Sequence, residues 1–564
     1  MTALAPIRST LDFLVNDWLG AEEDREVVDG LLDLAEGIAA DHFLPHYKLT
    51  DAQEPRLDSN GVHAHPAIAP ALRQYADAGL FAAGFAPELG GTGLPALLTS
   101  ASFALFAAAN IATAAYPMLT VANARLIVAF GSPEQVQAFA EPQIEGRWFG
   151  TMCLSEPQAG SSLADIRTRA TPDGNDALGA RYRLSGNKMW ISGGDQDVSE
   201  NIVHLVLAKI PLDGGDLLEG TAGISLFIVP KNLPDGTRND VVVAGLNHKM
   251  GYRGIPNCLL NLGETEGAVG WLVGQHGEGL RQMFQMMNEA RIGVATGAAA
   301  LAMRGYALSI DYARDRTQGR PPGVRTGPPM PIIEHADVRH MLLQQKIYAE
   351  GALALCLYCA ALVDRDEEAL LGLLTPIAKT WASEFGLAAN DLAIQVHGGY
   401  GYTRDFDVEQ LWRDNRLNPI HEGTTGIQAI DLIGRKLLRG DDGAYAALRR
   451  RVDATVSCAG ALTEVAAAVA DAWTQVDVTL ARLKDQPGAA HDNATAFLRA
   501  FGHATVGWLW LDIALASSGD DAAALGRRHA AGYFAAVELP RVAAWLAPIN
   551  ALNRLAAEMD PAGF

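Results

Sequence analysis

The sequence predicts a multidomain α+β protein, in which a β-rich segment lies between two helical segments and a further helical domain follows. The chain has 564 residues, which is too many for a single hydrophobic core. Apolar residues recur at helical spacing before residue 148 and after residue 272, whereas the segment between them has short β-type runs. We therefore predict four domains: an N-terminal all-α domain (1–147), a central antiparallel β-barrel (148–272), a C-terminal four-helix bundle (273–440) and a C-terminal helical extension (441–564).

The first domain is predicted from its helical pattern. Apolar residues between 31 and 39 form one helix face, and the run 101–111 indicates a more deeply buried helix. The Gly- and Pro-rich run 87–95 interrupts these helices and is typical of a turn.

The β domain is predicted from six short apolar runs separated by Gly, Pro, Asp and Asn, a pattern that indicates a small antiparallel barrel or sandwich. These runs are 149–154, 181–184, 202–208, 224–229, 241–244 and 258–262.

Long helical periods return in the third domain and continue into the extension. The segments 280–313, 336–363 and 376–396 have lengths that suit a four-helix bundle. In the extension, 465–483 and 494–516 are apolar-periodic, and the Pro-Gly pair at 487 separates them.

Charge and composition exclude several partners. A net charge of −21 disfavours nucleic acid or an anionic membrane as the main partner, since both reward clustered Lys and Arg. The N-terminal segment carries Asp12, Asp17, Glu22 and Glu23 and lacks the basic segment and continuous apolar run of a signal peptide. We find no apolar run long enough to span a bilayer. We expect a cytoplasmic protein.

The five cysteines form no disulfide framework, which favours a reducing compartment. Cys356 and Cys359 form a CxxC pair inside an apolar helical run without a second ligand pair, so we expect buried, small apolar side chains and no metal site.

The run 418–428 (Asn-Pro-Ile-His-Glu-Gly-Thr-Thr-Gly-Ile-Gln) contains the principal candidate, Glu422. A proline before it and Gly423 after it predict a loop position. Thr425 and Gln428 have the spacing of a capping box, so the carboxylate should lie one turn ahead of a capped helix. From spacing alone, a solvated loop glutamate is an equally good interpretation.

The run 421–428 resembles the catalytic segment of acyl-CoA dehydrogenases. Residues 395–402 (Gln-Val-His-Gly-Gly-Tyr-Gly-Tyr) and 411–414 (Leu-Trp-Arg-Asp) also resemble that family, in the same order along the chain. The resemblance covers roughly the first 440 residues. It implies an FAD-dependent enzyme in which Glu422 takes the α-proton of an acyl-CoA thioester and the β-hydrogen leaves as hydride to flavin N5, giving a trans-2-enoyl-CoA. It also implies that the Glu422 backbone N–H and a flavin ribityl hydroxyl hold the thioester oxygen.

The resemblance also implies the cofactor contacts. A hydroxyl at Ser155 bonds the flavin ring, Trp190 lies beside that ring, and Ser192 lies near its N5. Arg316 reaches the FAD pyrophosphate of a neighbouring subunit, which implies a homodimer or homotetramer. The complete predicted FAD set is Met152, Leu154, Ser155, Gly160, Ser161, Trp190, Ile191, Ser192, Arg316, Gln318, Gln395, Gly398, Gly399, Thr424 and Gly426.

The substrate residues implied by the resemblance are Ser161, Asn288, Arg291 and Gly423, with Arg291 near the acyl-CoA entrance. Electrons are expected to pass to an electron-transferring flavoprotein. An acyl-CoA oxidase that reduces O₂ is an alternative, as is a non-catalytic family member that acts as a binding protein.

Three features depart from the family pattern. His421 replaces the usual tyrosine before the glutamate, and the run 316–320 lacks the usual aromatic contact to adenine. Some relatives carry the base on an earlier helix, where this chain has Ala290; Glu289 is one residue further back and about 100° round the helix, which favours Glu422. The extension after residue 440 resembles that of a bacterial subgroup, and covering the core or making a dimer contact is the default expectation for it.

Overall fold

The computed structural model describes residues 3–440 and 442–564. By packing, the chain divides into two compact units. The helical unit contains the residues up to Asp33 together with Ala96–Ala108 and Val294–Phe564, and the β-containing unit contains Leu34–Pro95 and Ala109–Gly293. A mixed α+β architecture with helical N- and C-terminal regions is confirmed, whereas the four predicted domain boundaries stay a prediction.

The β-containing unit has ten strands. They are β1 (Arg56–Asp58), β2 (Gly61–His63), β3 (Trp148–Cys153), β4 (Arg169–Asp176), β5 (Gly179–Ser192), β6 (Asn201–Lys209), β7 (Ile224–Pro230), β8 (Val241–Leu246), β9 (Asn257–Leu262) and β10 (Ala268–Leu272). β1 and β2 form a separate hairpin, and the other eight strands form one sheet.

The eight-stranded sheet is mostly antiparallel, with the path β10-β7-β6-β4-β5-β9-β8, and β10 also pairs with β5. The prediction of an entirely antiparallel sheet is wrong, because β3 runs parallel to β6 over six residue pairs and β4 pairs in parallel with β6 at Arg169 and Lys209. Closure into a barrel stays a prediction. The six predicted runs do not include β1, β2, β4 and β10. The residues of β4 include Pro172, Gly174, Asn175 and Asp176 and its side chains are mostly exposed, a composition typical of a turn.

Helices and the sheet share the core of this unit. Leu126 and Ile127 pack in one apolar cluster with Leu205 of β6 and Leu226 of β7. The short helical segments of the unit are Ala39–Phe43, Leu44–His46, Tyr47–Ala52, Ile68–Asp77, Pro87–Leu89, Pro133–Gln135, Val136–Ala140, Glu141–Ile144 and Leu163–Asp165.

The helical unit holds most of the long helices. Arg25–Ile38, Ala96–Phe130 and Gly279–Asp315 continue from one unit into the other along the chain. Its remaining helical segments are Ala5–Asp12, Phe13–Trp18, Ile332–Glu334, Ala336–Asp364, Glu368–His397, Gly398–Tyr402, Val408–Asn415, Thr425–Ile430, Asp431–Leu437, Gly443–Ser457, Thr463–Lys484, Pro487–Asp492, Ala494–Ala516, Ala522–Tyr533, Phe534–Glu538, Pro540–Asn550, Leu555–Glu558 and Pro561–Gly563.

Two helices, Ala96–Phe130 and Ala336–Asp364, are long and apolar enough to cross a membrane by length and composition, so the expectation that no such run exists is wrong. Of their most apolar stretches, 78% and 89% of the residues are buried inside the protein, as in core helices. The first of them breaks at Asn110, whose backbone is extended and whose Oδ1 accepts a bond from the Thr113 N–H.

The extension packs on the helices that precede it. The Trp510 indole N–H donates to the Ile347 carbonyl oxygen at 3.2 Å, and Gly351 lets the indole approach, because a Cβ there would lie 2.9 Å from Trp510 Nε1. The Trp381 indole N–H donates to His503 Nδ1 at 3.0 Å. The expectation that the extension covers core helices is therefore met by specific contacts.

Candidate active site

The loop before the helix Thr425–Ile430 has an unusual backbone at Glu422. Its φ is +52°, in the left-handed region, and among the described non-glycine residues only four others have a positive φ. A non-glycine residue in this region is strained, and such strain persists where the surroundings hold it. The following Gly423 has φ +90°, and a Cβ there would lie 2.5 Å from Gln428 Nε2. Gly423 is therefore required for a close approach by Gln428.

Two buried side chains hold the loop by its carbonyl groups. Gln428 Nε2 donates to the carbonyl oxygens of Glu422 at 3.1 Å and of Gly423 at 3.4 Å. Lys379 Nζ, from the helix Glu368–His397, donates to the Gly423 carbonyl oxygen at 2.7 Å. All three bonds use backbone acceptors, so they fix the direction of the Glu422 side chain without using its carboxylate.

The predicted capping box is wrong by one residue. Thr424, not Thr425, is the N-cap, and its Oγ1 accepts a bond from the Ile427 N–H at 3.4 Å. The helix begins at Thr425, and Gln428 turns back to the loop carbonyls instead of capping. Thr424 and Gly426 are half-buried in this first turn.

A chain of buried asparagines connects this loop to three helices. Asn390 donates to the Leu301 carbonyl, and Asn415 donates to Asn390 at 2.7 Å and to the Ala298 carbonyl at 3.1 Å. Asn418 donates to Asn415 at 2.9 Å and lies 3.1 Å from His421 Nε2. Burial and the positive charge of Lys379 lower the pKa of His421 to about 3, so its imidazole is neutral near pH 7.

The predicted flavin residues of the β-containing unit lie at the ends of β3 and β5. The Met189 N–H donates to the Ser155 carbonyl oxygen at 3.0 Å. Ser155 therefore lies next to the residue that precedes Trp190. Beneath them, the fully buried Lys188 donates to the Leu154 carbonyl oxygen at 3.1 Å and to Glu156 Oε1 at 2.9 Å.

The carboxylate of Glu156 holds the next loop. Burial opposes its ionisation, but the charge of Lys188 and bonds from Thr168 and the Arg167 N–H outweigh burial and lower the pKa of Glu156 to about 2. A tight turn between Glu156 and Ala159 then leaves Gly160 and Ser161 exposed.

Trp190 is presented by a β-bulge. The register of β5 against β9 shifts between Lys188 and Ile191, and Trp190 has φ +67° and a 58% exposed side chain. Bulges re-aim side chains and are frequent beside active sites. The other predicted flavin residues nearby differ in their burial: Met152 and Leu154 are half-buried, whereas Ile191 is buried, so that only its backbone can face a ligand. Ser192 Oγ accepts a bond from Asn257 at 3.3 Å.

This arrangement fits a flavin. The large aromatic side chain of Trp190 is 58% exposed and has a backbone φ of +67°. It lies one residue after Met189, which bonds the Ser155 carbonyl, and two residues before Ser192. An isoalloxazine ring needs an aromatic face to pack against and hydroxyl or N–H groups at its polar edge.

The structure also brings together the two segments predicted to reach FAD across a subunit boundary. The Tyr312 ring stacks on His397 with centroids 4.4 Å apart, so the turn after Tyr312 and the turn after His397 meet at one end of their helices. Arg316, Gln318, Gln395, Gly398 and Gly399 are all exposed there, with the exposed rings of Tyr400 and Tyr402.

The predicted substrate residues near 290 are less open. Arg291 is only 4% exposed, and its Nη1 lies 3.4 Å from Oδ1 of the exposed Asn288. Glu289, the alternative base, is bonded by Arg125 at 3.4 Å, although burial raises its pKa.

Sequence reasoning missed the supporting side chains: Lys379, Gln428 in its actual role, the three asparagines, and the pair of Lys188 and Glu156. A lysine within the apolar run 376–382 is the signal that could have found Lys379, since Lys is rarely fully buried without a partner. Among the described residues, no cluster of three or more His, Cys, Asp or Glu side chains could hold a metal ion.

Comparison with known proteins identifies the family of this chain. Four family models match along the chain: the N-terminal domain (30–147), middle domain (151–264) and C-terminal domain (277–438) of acyl-CoA dehydrogenases, and an acetyl-CoA dehydrogenase C-terminal-like domain (448–560). The chain is 34% identical over 543 residues to 3-methylmercaptopropionyl-CoA dehydrogenase of Ruegeria pomeroyi, covering 90% of each chain.

It is 32% identical over 585 residues to a broad-specificity linear acyl-CoA dehydrogenase of Mycobacterium tuberculosis, covering 96% of this chain and 94% of that one. The fold matches the Caenorhabditis elegans ACDH-11 structure in complex with C11-CoA, with TM-score 0.83, 20% identity, and 98% and 94% coverage. The chain belongs to the acyl-CoA dehydrogenase family. It is accordingly an enzyme of a family of FAD-binding oxidoreductases.

Proposed function

We propose that this enzyme dehydrogenates an acyl-CoA thioester to a trans-2-enoyl-CoA, with Glu422 as the base. The observation that carries the proposal is the left-handed backbone of Glu422, held through its own carbonyl and that of Gly423 by Gln428 and Lys379. Two relatives of nearly the same length are named as acyl-CoA dehydrogenases, which supports this reaction class.

The chain's own residues supply the proton transfer and the orientation. Glu422 takes the α-proton on its carboxylate, and its backbone N–H donates to the thioester oxygen, where negative charge develops. Bound FAD would supply the acceptor for the β-hydrogen, which leaves as hydride. His421, the residue before Glu422, is neutral near pH 7 and so adds no positive charge to the loop; such a charge would weaken the base.

The remaining assignments are part of the same proposal. Ser155, Trp190 and Ser192 hold the flavin ring, with Met152, Leu154, Gly160, Ser161 and the Ile191 backbone around it. Asn288, Arg291, Ser161 and Gly423 contact the acyl-CoA. Thr424 and Gly426 contact the cofactor from the helix start. The double pairing of β10 with β5 and β7 supports closure of the sheet into a small barrel.

We also propose a homodimer or homotetramer in which the exposed group around Arg316 and Gln395 contacts the FAD of a neighbouring subunit. The joint exposure of these residues at one end of the helices supports this. Solution mass and FAD content test it: we expect one FAD per subunit in at least a dimer, and a fully active monomer with full FAD would contradict it.

Electrons pass, in this proposal, to an electron-transferring flavoprotein, and the enzyme works in the cytoplasm. The five free cysteines, four of them buried, suit a reducing compartment. The four domain boundaries given above are proposed as well, supported by the positions of the four family matches.

The deciding experiment is spectroscopic. The purified protein should be yellow, and its flavin absorbance should bleach without oxygen when a matching CoA ester is added. A panel of straight, branched and sulfur-containing acyl groups identifies the substrate. Bleaching with rapid peroxide formation in air would favour the oxidase, and failure to bleach with any ester would overturn the dehydrogenase assignment.

A further inference from the structure

A chain of three side chains connects the C-terminal extension to the start of the helix that follows Glu422. Arg499, in the helix Ala494–Ala516, forms a two-point contact with Glu384: Nε lies 2.8 Å from Oε2 and Nη2 lies 3.2 Å from Oε1. Glu384 Oε1 also accepts a bond from Thr425 Oγ1 at 3.0 Å. Thr425 is the first residue of the helix Thr425–Ile430.

Glu384 connects the extension to the loop that carries Glu422, because its carboxylate accepts bonds from both Arg499 and Thr425. Its side chain is 19% exposed and that of Arg499 is 43% exposed, so the pair is only partly screened by solvent. The bond to Glu384 is the main cause of a raised pKa at Arg499. A planar guanidinium that meets both carboxylate oxygens fixes the carboxylate orientation as well as its charge.

Glu384 and Lys379 lie on the same helix and form hydrogen bonds with the residues on either side of Thr424. Lys379 holds the Gly423 carbonyl, and Glu384 holds the Thr425 hydroxyl. The Thr425 N–H also donates to the Pro419 carbonyl at 3.2 Å, which closes the loop around Glu422. A shift of Thr425 would therefore be passed directly to the backbone of Glu422.

The extension has contacts with the preceding helices besides that of Arg499. The extension is anchored elsewhere by Trp510 on Ile347 and by His503 on Trp381. Removing Arg499 should leave these contacts in place and loosen only the connection to Thr425.

We infer that Arg499 is a positioning residue for the dehydrogenation, through which the extension holds the base loop by way of Glu384 and Thr425. This inference rests on the proposed role of Glu422. It assigns the extension a part in setting the geometry of the reaction, in addition to covering the core.

The test compares Arg499→Ala with Thr425→Val, which removes the same connection from its other end and keeps the Thr425 N–H bond to Pro419. We expect Arg499→Ala to slow flavin reduction at saturating acyl-CoA by roughly two- to fivefold, the range that a partly exposed ion pair supports. The acyl-CoA dissociation constant should stay within about twofold, because the change affects a step after binding. Arg499→Lys should recover part of the rate.

A double mutant separates positioning from general stability. If Arg499 acts through Thr425, Arg499→Ala should have little further effect in the Thr425→Val background, since contacting residues in one network are not additive. Arg554→Ala is the matched control, because Arg554 pairs with Asp492 inside the extension at 2.6 Å. It should leave the rate unchanged.

Hydrogen exchange gives a readout that needs no activity. Amides of the peptide 418–428 should exchange faster in Arg499→Ala and Thr425→Val than in the wild type and the Arg554→Ala control. Unchanged exchange with an unchanged rate, or additive effects in the double mutant, would overturn the positioning role. If none of the tested acyl-CoA esters reduces the flavin of the wild type, the proposed function fails. The exchange data still decide whether Arg499 is connected to the loop.

Discussion

Lys379 Nζ lies 2.7 Å from the carbonyl oxygen of Gly423, the residue directly after Glu422. The lysine is fully buried in the helix Glu368–His397, where a cation is costly unless it is hydrogen-bonded. Its bond therefore has two effects. It fixes the loop behind the carboxylate, and it places a positive charge near His421 that helps to keep that imidazole neutral.

Replacement of Lys379 by methionine should impair the reaction while retaining the apolar volume of the side chain. A hydrogen bond to a charged group contributes about 1.5–3 kcal/mol, so we expect a loss of roughly ten- to hundredfold in the rate of flavin reduction. Anaerobic stopped-flow measurement checks this. Lys346→Met is the matched control, since Lys346 lies on the neighbouring helix Ala336–Asp364 and pairs there with Glu350, one turn further along the same helix. A Lys379→Met enzyme with the wild-type rate would show that the bond does not orient the base.

Replacement of Glu422 by glutamine should abolish turnover and leave FAD and acyl-CoA binding largely intact. Glutamine keeps the shape and hydrogen-bonding reach but cannot accept the α-proton, and positioned acid–base groups contribute about 10²- to 10⁴-fold. Flavin reduction reports the rate, and difference spectra report ligand binding.

Glu289→Gln is the companion variant for the alternative base. Because Arg125 already bonds Glu289, we expect its loss to slow flavin reduction far less than loss of Glu422. The reverse order of effects would assign the base to Glu289.

Lys188→Met should destabilise the β-containing unit. It leaves Glu156 buried without its cation, and breaking one partner of a buried pair costs about 3–5 kcal/mol. Denaturant unfolding checks the loss. The double change Lys188→Met with Glu156→Gln should restore part of it, because no charge is then left buried. Equal stability of single and double variants would contradict the account.

The sequence predicted the mixed α+β architecture and the loop position of Glu422, but not the side chains that hold this loop. The helix 494–516 is predicted to the residue because its apolar period is uninterrupted, whereas the helix Glu368–His397 begins eight residues before the predicted start at Pro376. Proline there suggests a first turn, yet the structure carries it inside a buried helix.

Long-range partners explain the remaining gaps. Nothing near Lys188 in the sequence indicates that Glu156 lies 2.9 Å away, and nothing near Thr425 indicates Glu384 and Arg499. Local patterns report period and turns, while these bonds depend on which elements pack together. The predicted N-cap was wrong by one residue because Thr424 and Thr425 both have a side chain suited to capping, and the local sequence does not distinguish them.

Buried histidines should make the folded protein lose stability as the pH falls below about 6.5. His204, on β6, is nearly fully buried with Nδ1 2.7 Å from Thr151 Oγ1. Burial lowers its pKa to about 3, helped by Lys231 and Arg238 and opposed by Asp195. Burial likewise lowers the pKa of His46 to about 4. Because the folded pKa lies below the unfolded value, the unfolded chain binds the proton first, and stability rises with pH through this window.

At pH 5 His204 and His46 should each reduce the free energy of unfolding by about 2 kcal/mol relative to pH 7.5. The pKa of Glu156 is lowered to about 2, and its effect on stability begins only near its unfolded pKa of about 4.3. Denaturant unfolding between pH 7.5 and 5 measures the slope, and His204→Gln should flatten it by about 0.8 kcal/mol per pH unit on average over this range. His63→Gln is the opposing control: Asp197 and Asp58 raise the pKa of His63, so it stabilises the fold at low pH, and its loss should steepen the slope. A slope unchanged by His204→Gln would mean that His204 is charged or solvated in the folded protein.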